Sequence, residues 1–354
     1  RETSSCGTGE AIAVDVEIHP QPTAVIYGNT STYTGETGVI YHVDQVPDYT
    51  YSWSVSSEGT IGGPSVNDSI SVDWSTAGDA DVTVTATHTT CALQADPLVL
   101  NVTVSDIILS AQSGNWEDAS TWVGGVVPTQ YTSARIQTGD TVTIAMGTAR
   151  VNDLTIDAGA VLNSQAFEFY IYGDYTINGV HQGTGSDHIE LRGGAAVVDG
   201  TGTVENTGYF IIAATGNTTI ASTADITFTY GVRVSNNYTV SNNGIIRLGW
   251  ALIGSGANSK WINADNSYLE CFYTIMTTGT LEASAEGNTV RYDNTSGNHN
   301  VETPESGIYY NLEIAGSTIK TLIGDITVKG DLSISSTLSS GNFNIACEGN
   351  WTNT

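Results

Sequence analysis

The sequence predicts an all-β chain in two parts, an immunoglobulin-like β-sandwich followed by a parallel β-solenoid, and three observations carry that expectation. The stretch from Ile308 to Thr354 alternates apolar and polar residues in short bursts (Tyr310, Leu312, Ile314; Ile326, Val328; Leu332, Ile334; Phe343, Ile345, Cys347), each broken by Gly, Asn, Asp or Ser. Period-two alternation buries one face of a strand, and Gly and Asn supply the turns. Bursts this short cannot hold themselves, so each coil must stack on the next and share a core. Second, the strand with Ile12, Val14 and Val16 recurs in type as Leu98, Leu100 and Val102, an offset of 86 residues (98 − 12) and the size of an immunoglobulin domain. Third, 39 glycines with only 13% charged residues describe a β-prone, helix-poor chain.

The 354 residues suffice for two or three domains with real cores. Formal net charge is −27 with ten Lys plus Arg, and Arg1 is the one basic residue among the first 112. Nucleic acid and anionic membrane surfaces are therefore excluded as direct partners, since both need a cationic face. No apolar run approaches the roughly 18 to 20 residues of a membrane-spanning helix, and no charged-then-apolar signal opens the chain, so direct membrane insertion is not expected. Cys6, Cys91, Cys271 and Cys347 lie far apart, with no CxxC or Cys/His spacing, and read as separate thiols rather than a metal site or disulfide framework. The Thr-, Ser- and Asn-rich, Lys-poor composition suits a secreted or surface protein.

Taken in order, residues 1–21 read as the last strand of a preceding immunoglobulin-like domain plus a linker stiffened by Pro20 and Pro22. Residues 22–105 form the next copy, with strands expected at 37–43, 50–55, 69–74, 81–87 and 98–104. Trp53 alternates with Tyr51 and Val55 and is expected in the sandwich core. Residues 106–140 read as a linker and solenoid cap, because an uncovered first coil leaves an open edge; Trp116, Trp122 and Pro128 suit that cap. From 141 to 354 the bursts recur (VTI at 142–144, LTI at 154–156, FYIYG at 169–173, HIELRG at 188–193, YFIIA at 209–213, ITFTYG at 226–231, IIRLG at 245–249, CFYTIM at 271–276). Their spacing predicts coils of about 20 to 30 residues and on the order of eight to ten coils.

The run DYTYSWSVSSEGTIGGPSVNDSISVDWSTAGDADVTVTATHTTC resembles the PKD-like, immunoglobulin-type domains strung in tandem in very large secreted and surface proteins of Bacteroidota. The resemblance covers nearly all of 22–105. Such domains often carry a cysteine in the segment matching Ser31 to Gly35, paired with one at the Cys91 position; here Tyr33 stands in that segment. SGNWEDASTWVGGVVPTQYTSARIQTGDTVTI is similar to the opening of right-handed parallel β-helix regions in the same proteins. The closing NLEIAGS…GNWTNT is similar to a repeat there in which another strand and coil follow GNWTN. The resemblance implies export by the type IX secretion system and display on the cell surface, with gliding-motility adhesins among the relatives. Its implied partners are further domains of the same giant chain, the secretion and anchoring components, and glycans or surfaces.

Right-handed β-helices also carry polysaccharide lyases and hydrolases, so an enzyme is the alternative. Such chemistry needs carboxylates on adjacent coils with a histidine and a basic residue. The best cluster is Asp187, His188, Glu190 and Arg192; strand alternation projects His188, Glu190 and Arg192 together and Asp187 opposite. It reads as a solvated face, and no catalytic residue is assigned. Retention of glycans without turnover would instead show Trp250, Trp261 or a tyrosine row exposed along one face. No cofactor is required, though calcium could take Asp44 with Asp48 and Asp79 with Asp81 if turns brought their oxygens together. Asp68-Ser69-Ile70 and Asp140-Thr141-Val142 match the short O-glycosylation pattern of Bacteroidota, with Ser69 and Thr141 as acceptors. The expected function is a non-enzymatic stalk and contact surface of a large exported adhesin, in motility, biofilm or attachment.

Overall fold

The computed structural model describes residues 3–4, 7–8, 25–34, 36–63, 65, 67–184, 189–205 and 208–354. Two compact units divide the chain, Arg1–Ser105 and Asp106–Thr354. The strand expected at 12–16, like Cys6, lies outside the described residues; near it, Thr3–Ser4 pairs antiparallel with Gly7–Thr8. Among the described residues helix is confined to two short 3-10 turns, Ala119–Thr121 and Val123–Gly125.

The first unit is a sandwich of a four-stranded and a three-stranded sheet. The four-stranded sheet runs Ser31–Tyr33, Leu98–Ser105, Gly78–His88, Tyr49–Val55, and the three-stranded sheet runs Val39–His42, Ser69–Trp74, Gly59–Ile61. Alternation does the work: in Ser69–Trp74, Ile70, Val72 and Trp74 are buried while Ser69, Ser71 and Asp73 are only half-buried. Trp53 is 5% exposed and donates its indole N–H to the Asn67 carbonyl at 2.6 Å. Tyr41 packs edge-on against Trp74 at 6.2 Å. Two strands escape the alternation rule. Ser31–Tyr33 joins the sheet edge parallel to Leu98–Ser105, and Gly59–Ile61 is a three-residue edge. The long strand also starts at Gly78 rather than Asp81, so Asp79 and Asp81 sit on a strand and not in turns.

The second unit is a parallel β-solenoid of about ten turns. Each coil contributes one strand to each of three faces, as in Ser133–Ile136, Thr141–Thr143 and Ala149–Val151, after which Leu154–Ile156 returns beside the first. On the twelve-stranded face the inward ladder runs Val142, Leu162, His181, Val204, Phe228, Leu248, Cys271, Tyr292, Ile314 and Ile334, so a coil takes about 19 to 24 residues. The other two faces are interrupted after Leu252–Gly254 and Thr280–Glu282, and isolated parallel bridges, Leu252 to Ile275 and Ala283 to Tyr309, carry the stacking across. One apolar core is continuous from Trp116 to Ile334.

Residues 106–140, read above as linker and cap, already belong to the solenoid. Ile107–Leu109 pairs parallel with Ser133–Ile136, and Gly114–Asn115 with Thr141–Thr143. The run Ile107-Ile108-Leu109 has no alternation to mark it as a strand; its neighbour one coil on supplies the pairing. Trp116 and Trp122 are each 2% exposed, 4.9 Å apart edge-to-face, with the Trp122 indole N–H donated to the Trp116 carbonyl at 2.8 Å. Pro128 is buried beside them in sequence.

Candidate functional site: a cavity on the first coils and the ladders beside it

A cavity of about 560 Å³ opens on the first coils, walled by the loop 127–131 and the turn 146–148. Each wall is fixed by its own hydrogen bonds. In the loop, the Thr132 N–H closes on the Thr129 carbonyl at 3.0 Å and the Thr129 N–H donates to the Thr132 hydroxyl at 2.8 Å, which holds Gln130 and Tyr131 at the tip. Buried Pro128 anchors the chain entering it. In the opposite turn, Gly147 takes φ +69°, a left-handed conformation that glycine adopts without strain. The Glu117 carboxylate accepts the N–H groups of Ala145 and Met146 at 3.2 and 3.1 Å. Trp116, Val127 and Ala149 also line the cavity, and Arg150 stands at its edge. Tyr131 is 83% exposed, and its ring stacks on no other aromatic ring among the described residues.

Below this cavity the outer surface is organised in ladders. Arg150, Tyr170 and Glu190 follow one another on the six-stranded face. The Arg192 guanidinium lies 3.5 Å from the Tyr170 ring centre and 2.7 Å from the Glu190 carboxylate. That ion pair, and the ring beneath it, hold Arg192 above its ordinary pKa. Asp187 and His188 of the same sequence cluster lie outside the described residues. On the twelve-stranded face Arg247, Glu270, Arg291 and Glu313 alternate in register from coil to coil. Arg247 pairs with Asp225, and Arg291 reaches Glu313 at 3.1 Å, Asp293 at 3.3 Å and Glu270 at 3.9 Å. Burial raises the Glu270 carboxyl above its usual range, while Arg291 pulls it back.

A row of aromatics runs from coil to coil through Tyr209, Tyr230, Trp250 and Tyr273 to His299, which opens the strand His299–Val301. Trp250 stacks on Tyr230 at 6.0 Å and 15° in the coil before, and on Tyr273 at 4.2 Å and 5° in the coil after. Tyr209 carries Arg233 at 4.5 Å and meets Tyr230 edge-on. Gly231 makes room for this, because a Cβ there would come within 2.8 Å of the Tyr209 ring. Trp250 thus lies between rings of the coils before and after it and is half-buried. Trp261 is 0% exposed, its indole N–H given to Asn263 Oδ1 at 2.9 Å, so it is a core residue and cannot serve as a glycan platform as the sequence suggested.

The remaining candidates are scattered. Asp44 accepts the Tyr27 hydroxyl, Asp48 occupies a turn at φ +63°, and Asp81 accepts the Asn101 amide at 2.7 Å. Among the described residues no group of three or more His, Cys, Asp or Glu side chains that could hold a metal ion converges. Ser69 is half-buried at a strand start and Thr141 is exposed at another. Cys91 is exposed, Cys347 half-buried and Cys271 buried, all three as free thiols, and burial pushes Cys271 up to about 12. His181 lies wholly inside the solenoid, 3.0 Å from the Tyr175 hydroxyl, and burial pushes it down to about 3, so it is a neutral core residue. Lys320 is likewise buried; its ammonium donates to the carbonyls of Asn294, Ala315 and Thr318, tying neighbouring turns together.

Sequence reasoning missed Gln130, Tyr131, Met146 and Arg150. Its one usable signal was the Pro-Thr-Gln-Tyr-Thr run, a turn carrying an aromatic after a buried proline. Residues 19–102 match the family model of the PKD-like domain. No curated protein and no solved structure matches the chain.

Proposed function

We propose that this chain is a non-enzymatic segment of a large exported cell-surface adhesin, a PKD-like module and a solenoid acting as stalk and contact surface. Its neighbours in function would be further modules of the same chain, with export by the type IX system and a role in gliding, biofilm or attachment following from the likeness of its motifs to Bacteroidota proteins. The observation that carries the reading is where the solenoid spends its charge. On the twelve-stranded face Asp225 and Glu313 are each paired with a guanidinium one coil away, and on the six-stranded face Glu190 is closed on Arg192 at 2.7 Å. A carbohydrate-cleaving β-helix would keep such carboxylates unpaired beside a bound sugar. A continuous core shared coil by coil suits a spacer, since length is added without a new fold.

The test is turnover by the full chain on a panel of neutral and acidic polysaccharides, with reducing-end release and lyase products both measured. The reading expects no product above the heat-denatured control. Product formation that Glu190→Gln abolishes would replace the stalk with an enzyme.

A further inference from the structure

The cavity between the loop 127–131 and the turn 146–148 has the chemistry of a sugar site, and the reading above does not require it. A pyranose ring offers two things to a protein: a patch of C–H groups on one face and pairs of neighbouring hydroxyls around its rim. The first is met by an aromatic face and the second by planar side chains that hydrogen-bond two atoms at once. Both are present here. Tyr131, 83% exposed, supplies a ring held at the tip of a hydrogen-bonded turn. Gln130, Glu117 and Arg150 supply an amide, a carboxylate and a guanidinium around the same cavity. Glu117 spends one hydrogen bond per backbone N–H on Ala145 and Met146, and a carboxylate has roughly four acceptor positions, so acceptor capacity remains. Arg150 makes no ion pair with a described carboxylate; its guanidinium lies 5.5 Å from the Tyr170 ring centre and donates a long hydrogen bond, 3.4 Å, to the Thr148 carbonyl.

Size and charge narrow the ligand. A volume of about 560 Å³ falls within the roughly 300 to 1,000 Å³ typical of small-ligand sites. The net charge of −27, and Glu117 in the wall itself, work against an anionic glycan. The aromatic row at Trp250 differs from it in that its rings stack on one another from coil to coil. We propose that this cavity binds a neutral hexose unit, free or at the end of a neutral glycan, and holds it without turnover. Met146 and Val127 would cover the apolar edge of the ring, while Tyr131 stacks on its C–H face.

The proposal is tested on the full chain with maltose, cellobiose, lactose and mannobiose, and digalacturonate as the acidic comparator, by saturation-transfer NMR and calorimetry. At least one neutral disaccharide is expected to bind, with digalacturonate weaker than it. Tyr131→Ala should weaken binding about three- to tenfold. Arg150→Gln should weaken it as well, while circular dichroism stays unchanged, since both side chains are exposed. No binding by any of the four, unchanged affinity in Tyr131→Ala, or tighter binding of digalacturonate would overturn the proposal. None of those outcomes touches the turnover test, so the stalk reading fails or survives separately.

Discussion

The two units bury tryptophan in different company. Trp53 in the sandwich sits opposite Val84 on an antiparallel strand and is tied to Asn67 across the fold. The sandwich has no repeating unit through which its core could be built stepwise, so that core is expected to form as one. Trp261 in the solenoid sits between Val240 one coil before and Leu281 one coil after. The solenoid repeats its contacts from coil to coil: Asn242 pairs with Asn263, Tyr230 stacks on Trp250 and Trp250 on Tyr273, and Arg291 is flanked by Glu270 and Glu313. The difference is between a core held by global closure and one held by nearest-neighbour stacking.

The largest expected effect tests the closed core. Trp53→Ala removes a buried indole that nothing nearby can replace, and should cost about 3–5 kcal/mol in denaturant unfolding. Amide exchange should then rise in all strands of the sandwich together. A loss confined to Tyr49–Val55 would mean that the sandwich, too, is held piecewise.

A smaller effect tests the outer ladder. Arg291→Gln leaves Glu270, Asp293 and Glu313 facing one another without their shared cation, and should lower solenoid stability by about 1 kcal/mol at low salt. The difference from wild type should shrink in about 1 M salt, because both the lost attraction and the new repulsion are screened. A salt-independent loss would indicate a packing role for the Arg291 stem instead.

The smallest concerns pH. Burial raises the Glu302 carboxyl from its ordinary 4.5 to about 6. The folded chain therefore holds that proton more tightly than the unfolded one, so the group favours folding when protonated, below about pH 4.5, and loses this contribution as pH rises through about 6. Half-exposed as it is, Glu302 should contribute under about 1 kcal/mol. Glu302→Gln should flatten this part of the pH–stability curve and raise stability at pH 7. An unchanged curve would remove Glu302 as its source.

How much of this was written in the sequence follows from the same contrast. Strands that alternate cleanly, such as Tyr49–Val55, Ser69–Trp74 and the bursts after 141, were legible because burial parity is local information. Ser31–Tyr33 and Ile107–Leu109 were not, since each is a strand only because a partner far along the chain accepts it. The side of Trp261 could have been read from Lys260, which alternates with it and faces out, but Ile262 beside it blurs the parity. Trp250 follows the Gly249 break, where alternation stops carrying information, and its stacking depends on rings 20 and 23 residues away (250 − 230 and 273 − 250). The cavity was hidden for a like reason: Tyr131 and Met146 lie on separate loops that only the coil geometry brings to one opening.

Nearest-neighbour stacking is tested most directly by amide exchange on the full chain carrying Trp261→Ala, the same chemical loss as Trp53→Ala and a comparable local cost of about 3–5 kcal/mol. Protection should fall in the coils that contain Thr239–Asn242, Lys260–Asn263 and Thr280–Glu282, while Leu154–Ile156 and Leu332–Ile334 keep theirs. Uniform loss of protection from Leu154 to Ile334 would contradict a core built coil by coil.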